Sequence, residues 1–295
     1  MAESSLPAAG TPSGLPLGRI AIYAVLALTC LYYLLPLYVM IITSLKSLDE
    51  IRSGNLIAFP QDITFAAWGK AWSSACTGVN CGGMRGYFMN SVMFTIPAVI
   101  LSTFIGAANG YVMTMWRSRF SDILFAALMM GCFIPFQVVL LPMARTLGML
   151  GIANSVLGLV FVHTVYGLAF TTLFFRNYYI TIPDELVKAA KIDGAGFFLI
   201  FRRIILPLSI PIIVVSVIWQ FTQVWNDFLF GVVFSSGESQ PITVALNNLV
   251  NTSTGVKEYN VNMAAAIIAA LPTLFVYIVA GKHFVRGLTA GAVKG

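Results

Sequence analysis

Six long apolar runs limit this chain more than anything else in it: residues 20–42, 88–115, 121–144, 152–175, 204–234 and 263–283. A helix needs about 20 mostly apolar residues to cross the hydrocarbon of a bilayer. Each run is long enough. The reading is an all-α membrane protein with six transmembrane helices. The scarcity of charge agrees with it, since 9% of the residues are charged against about 25% in an ordinary soluble domain. The first apolar run is too long for the core of a cleavable leader, so the stretch before it reads as a short tail.

Six crossings place both ends on one side of the membrane. With the N-terminus inside, the inner segments hold eleven of the seventeen Lys and Arg residues, leaving Lys46, Arg52, Lys70, Arg85, Arg145 and Lys257 outside. Basic residues gather in cytoplasmic loops, so both termini are read as cytoplasmic. The same loops explain the net charge of +6 without any nucleic-acid partner; the lipid bilayer is the partner indicated. The chain divides into a cytoplasmic N-terminal tail (1–18), a transmembrane domain (19–286) and a cytoplasmic C-terminal tail (287–295).

Of the four cysteines, Cys30 and Cys132 fall in apolar runs and read as small buried hydrophobes. Cys76 and Cys81 lie in a polar outer loop with no His or second Cys pair that would make a metal site. In an oxidising compartment they form either a local disulfide or two free thiols.

The loop between the fourth and fifth runs, 177–203, is far longer than a simple reversal of the chain needs. Its sequence, "LVKAAKIDGAGFFLIFRRIILPLSIP", begins at Leu186. Thr181 and Asp184 have the spacing of a capping box, and Pro183 suits a first helical turn. Asp184 and Glu185 complement the positive end of a helix dipole. Leu186, Ala189, Ala190 and Asp193 recur at helical spacing and form a small-residue face, with Lys188 and Lys191 opposite. Gly194 is suited to end the helix. A second amphipathic segment, 197–205, leads to Pro207. Two uses fit such a helix-turn-helix at the membrane surface: anchoring by Phe197, Phe198 and Phe201, or docking of another protein. Docking is favoured by Ala189, Ala190 and Ala195, where an anchor would carry bulkier side chains.

This loop resembles the EAA loop of the membrane subunits of binding-protein-dependent ABC importers, with Ala189, Ala190, Asp193, Gly194, Ala195, Leu206, Pro207 and Pro211 on the pattern. The chain departs from it at Lys188, which stands where the family has Glu; Glu185 lies about one turn earlier. Further stretches, "SLKSLDEI", "YFMNSVMFTIP", "IPFQVVLLPM", "WNDFLF" and "FVRGLTAGAVKG", resemble the maltose-type carbohydrate permeases, in particular the six-span partner of the pair. The resemblance implies a type I ABC importer permease whose coupling helix, Asp184 to Ala195, enters a cleft in a separate ATPase. It also implies a second permease subunit, two ATP-binding subunits that use ATP and Mg, and a periplasmic sugar-binding protein. No cofactor is expected on this chain. Residues 287–295 would touch the ATPases, and the outer loop 234–262, with Thr252, Ser253 and Thr254 near its tip, would meet the binding protein. The implied location is a bacterial inner membrane.

No catalytic constellation is present. The two histidines, His163 within a run and His283 at a run's end, have no nucleophile at motif spacing. His163 reads as an interior group. Polar side chains inside spans usually face a bundle interior or a wet path. Asn90 and Asn109 read as interhelical ties, whereas Gln137, Gln220, Gln223, Asn226 and Asp227 are candidates for a sugar path, because amides and carboxylates pair with hydroxyls. The alternative from another class is an ATPase-independent six-span secondary transporter or channel. That class commonly shows internal repeats and half-helices, and no repeat is evident.

Overall fold

The computed structural model describes residues 17–116, 118–251 and 256–292, with side chains described as far as Gly281. Among the described residues it is helical, without named strands, and has one isolated bridge between Thr77 and Asn80. In chain order the helices are α1 (Leu17–Ser44), α2 (Leu48–Arg52), α3 (Ala66–Ser73), α4 (Arg85–Met115), α5 (Arg119–Phe133), α6 (Phe136–Met149), α7 (Val156–Tyr179), α8 (Asp184–Ile192), α9 (Phe197–Ile200), α10 (Leu206–Leu208), α11 (Ile210–Trp225), α12 (Leu229–Phe234), α13 (Ile242–Asn251) and α14 (Tyr259–Ala292). A π-helical turn, Phe201–Ile205, joins α9 to α10.

Four helices, α1, α4, α7 and α14, are individually long and apolar enough to cross a membrane. The third and fifth runs are broken and not single continuous helices. α5 and α6 meet at 106°, and the segment Phe197–Leu208 meets α11 at 75°. Proline accounts for the first break: Ile134 precedes Pro135 and is driven to extended backbone, φ −68° and ψ 121°. In the second, Pro207 and Pro211 each remove an N–H from the helical ladder around Ser209. The fifth run breaks again at Asn226 to Phe228, between α11 and α12.

α4, α7 and α11 pack closely because glycine occupies the contact points. A Cβ on Gly106 would lie 2.3 Å from Oγ1 of Thr171, and one on Gly167 would lie 2.2 Å from Nε2 of Gln220. Small residues let transmembrane backbones approach, which suits helices that cannot gain from hydrophobic exclusion of water. The freed space is used for bonding, since Thr171 Oγ1 donates to the carbonyl of Ser102 at 2.9 Å. By contrast α1 is exposed along most of its length and buries only Ile42, Thr43 and Ser44 at its C-terminal end.

The end that bears α2 and α3 is tied down by polar groups. Lys46 is buried, and its ammonium donates to the carbonyl of Asn55 at 2.9 Å. Asn260 of α14 donates to the carbonyl of Lys46 at 3.0 Å. Lys70 pairs with Glu258, joining α3 to the segment before α14. Cys76 and Cys81 are joined in a disulfide beside α3. Of the other two cysteines, Cys30 is exposed on α1 and Cys132 half-buried on α5, because α1 and α5 present these faces outward and not into the bundle.

Candidate functional site

The loop at the opposite end is built on the bundle. α7 ends in a turn whose hydroxyl, Thr181 Oγ1, donates back to the carbonyl of Tyr178 at 2.7 Å. Thr181 therefore closes α7 and does not cap α8, contrary to the sequence reading. The residue at the cap position is Pro183, in extended backbone with no side-chain cap bond, so Pro183 precedes the first turn and does not lie within it. Two tyrosines brace the structure from below. Tyr111 of α4 donates to the carbonyl of Phe197 at 2.9 Å, and Tyr178 of α7 donates to that of Leu208 at 2.7 Å.

The small-residue face divides when the helix is placed. Val187 and Ala190 turn inward and are buried with Tyr111, Phe175, Tyr179, Ile200 and Ile205, and Ala195 is half-buried against the same group. Ala190 is thus part of the chain's own packing, where the sequence reading had it facing a partner. The physical reason is the 3.6-residue period: Val187 points where Ala190 points, and burying Val187 carries Ala190 with it. Asp184, Glu185, Leu186, Lys188, Ala189, Asp193 and Gly194 are exposed. Gly194 ends the helix in the left-handed region at φ +82°, a conformation open to glycine at little cost. The exposed strip of α8 is consequently held rigidly and free to meet another surface.

The intramembrane polar residues also separate into two groups. Gln220 is 2% exposed and donates to the carbonyl of His163 at 3.1 Å, so it joins α11 to α7 and does not face a path. Asp227 is half-buried. Its Oδ2 accepts from the N–H of Gly231 at 3.2 Å and stands 3.8 Å from Nε2 of His163, while its carbonyl accepts from Thr243 Oγ1 at 2.6 Å. Asp227 organises the start of α12. Gln137, at the bend after α5, and Gln223 and Asn226, at the end of α11, are exposed. Thr273 of α14, which sequence reasoning did not single out, donates to Oδ1 of Asn226 at 3.3 Å. Its signal was a hydroxyl beside Pro272 in an otherwise apolar run. Asn90 donates to the carbonyls of Glu238 and Gln240, and Asn109 reaches Thr172 Oγ1 at 3.5 Å. Trp219 packs against Phe170 and Phe174, whereas Trp225 is buried and donates to the carbonyl of Ala269 at 2.9 Å.

Thr252, Ser253 and Thr254, the tail 1–16 and residues 293–295 lie outside the described residues; the side chains from Lys282 onward, His283 among them, are likewise not described. No group of three or more His, Cys, Asp or Glu residues able to hold a metal is found among the described residues.

A helical bundle with four apolar spans, two broken runs and an exposed helix braced on it is the architecture of a membrane transport component. The chain belongs to the family described as binding-protein-dependent transport system inner membrane component, whose sequence profile matches residues 87–289. It is 42% identical over 278 residues to a probable ABC transporter permease of Pyrococcus horikoshii, covering 94% of this chain and 98% of that one. It is 32% identical over 299 residues to the xylose/arabinose import permease protein XacI of Haloferax volcanii, covering 94% of each. Among solved structures, a bacterial ABC transporter involved in import of the acidic polysaccharide alginate contains a chain that superposes with a TM-score of 0.80 at 20% identity, covering 93% of this chain and all of that one. This protein is the transmembrane subunit of an ATP-driven importer.

Proposed function

We propose that the chain forms half of the translocation pathway of a sugar importer and passes the motion of a separate ATPase to it through α8. The observation that carries this reading is the division of α8: Val187 and Ala190 fix it to the bundle, while Glu185, Lys188, Ala189 and Asp193 stay exposed. A lever needs such a rigid root and a free face. ATP and Mg are used by two ATP-binding subunits, which bind at this face, and the chain itself binds no cofactor. The second half of the pathway is another permease subunit. An extracytoplasmic sugar-binding protein delivers the cargo at the disulfide-bearing end, and both termini lie in the cytoplasm of a plasma membrane. The sugar class is supported by relatives named for xylose/arabinose and for melibiose/raffinose/stachyose import. We assign contact with it to Gln137, Gln223 and Asn226, an assignment supported by their exposure and by side chains that both accept and donate hydrogen bonds.

The test is purification of the tagged chain from its host membrane in mild detergent, with the stoichiometry of what accompanies it. Two ATPase copies and one second permease per chain are expected. Recovery of the chain alone, in a preparation that moves sugar without ATP, would replace this reading with an ATPase-independent transporter.

A further inference from the structure

A groove of about 430 Å³ runs between α4 and α11, with Ile96, Ile100, Phe104, Ile213, Val217 and Phe221 along its walls. It is apolar throughout its length. Its one hydroxyl side chain, Thr103, already has a partner, Ser216, at 3.5 Å. Ala107, Phe175 and Leu206 line the end nearest the surface loop, where Ala107 and Phe175 share a packed cluster with Ile200 and Ile205. From Ile96 to Ala107 a helix rises about 16 Å, close to half of a hydrocarbon core of about 30 Å. The groove's length is thus about that of one leaflet.

Immediately beyond its loop end lie two cations. Arg202 precedes Leu206 by four residues, one turn along the same face, and Arg203 adjoins it; both are exposed. Neither belongs to an ion pair among the described residues. No carboxylate occurs in the sequence from Gly194 to Asn226, nor from Gly86 to Ser121 on the other wall. The nearest acid on that side, Asp122, faces Arg176 at 3.8 Å. Two exposed guanidinium groups about one turn beyond the end of an apolar groove of about one leaflet's length are complementary to a lipid with an anionic headgroup. We propose that this groove holds an acyl chain of an anionic phospholipid whose phosphate is bound by Arg202 and Arg203. Arginine suits that role because its planar fork matches phosphate oxygens and it stays charged. Basic sites between helices at the membrane surface select anionic headgroups by the same attraction.

The experiment is native mass spectrometry of the assembly extracted from nanodiscs of equal phosphatidylglycerol and phosphatidylcholine, counting lipids that survive delipidation. The intact assembly is expected to keep one phosphatidylglycerol. Arg202→Gln with Arg203→Gln is expected to lower its retention on the order of tenfold, with Arg202→Lys and Arg203→Lys falling between. Val217→Trp, which fills the groove and leaves the cations in place, is expected to expel the lipid as well. Retained phosphatidylcholine should be the same in all variants. Equal phosphatidylglycerol in every variant overturns the proposal. So does loss of a second permease, and not of lipid, from the Val217→Trp assembly, which would assign the groove to a partner's helix. The lipid count requires neither transport nor ATP and can be made on the chain alone, so its failure is distinguishable from failure of the function proposed above.

Discussion

Nε2 of His163 on α7 stands 3.8 Å from Oδ2 of Asp227, at the break between α11 and α12. The imidazole is stacked on Phe94 with ring centres 5.5 Å apart and lies at the same distance from Phe230. An imidazole and a carboxyl group thus meet among aromatic rings, at a separation longer than a direct hydrogen bond. The contact lies where the start of α12 meets α7.

The first prediction concerns this pair. Asp227→Ala removes both the acceptor for Gly231 N–H and the partner of His163, whereas Asp227→Asn keeps an oxygen for Gly231. Melting of the detergent-purified assembly should fall by several degrees for Asp227→Ala and His163→Ala, and less for Asp227→Asn. A double-mutant cycle should give a coupling of about 0.5 to 3 kcal/mol. Strict additivity would mean the two groups are neighbours without being partners.

Gly106 and Gly131 should behave oppositely. Gly106→Ala forces Thr171 away, since the new Cβ would sit 2.3 Å from its hydroxyl, and should cost about 1 to 3 kcal/mol. Gly131→Ala meets nothing within 4 Å and should be neutral or gain about 0.5 kcal/mol from the restricted unfolded chain. Equal effects on thermal stability would show that α4 and α7 do not approach so closely.

Gly194→Pro should abolish ATP-driven uptake while leaving membrane insertion intact, because φ +82° lies far from the value near −65° that proline imposes. Gly194→Ala, strained but less so, should fall between. Normal uptake by the proline variant would remove α8 from the coupling route.

Thiol counting tests the disulfide. In denaturant without reductant two thiols, Cys30 and Cys132, should react, and four after reduction. A bond that closes so short a loop is worth about 2 kcal/mol by chain entropy, so Cys76→Ser with Cys81→Ser should lower stability modestly and leave assembly unaffected. Four reactive thiols before reduction would show the bond is absent from the protein as made.

Gln220 and Gln223, three residues apart, should separate stability from transport. Gln220→Leu removes the side-chain donor to the carbonyl of His163 and should lower melting, by about 0.6 to 2 kcal/mol if it acts as other intramembrane ties do. Gln223→Ala, on an exposed face, should leave melting unchanged and slow uptake. The reverse pattern would move the path to the other side of α11.

Much was legible in the sequence, because lipid is a demanding solvent. A run such as 88–115 has no other soluble or membrane use of comparable stability, so its apolar length alone placed α4, and the same logic located α1, α7 and α14. The helix Asp184–Ile192 was legible for a different reason: its acidic start, small-residue spacing and terminal Gly194 are local signals that act over one or two turns. What required the tertiary structure were choices between faces. Gln220 and Gln223 are the same residue type on one helix, and only the position of α7 decides that the first bonds His163 while the second stays exposed. Ala190 differs from Ala189 only by a rotation of about 100°, yet the core beneath takes the one and leaves the other. Prolines 135, 207 and 211 announced a weakness in two spans, but bends of 106° and 75° depend on where the freed backbone finds its packing. Composition and spacing therefore fixed the membrane class, most of the spans and the surface helix, because those follow from solvent and short-range bonding. Which side chains tie, which line a path and which meet a partner was decided by packing between segments distant in the chain, such as His163 and Asp227.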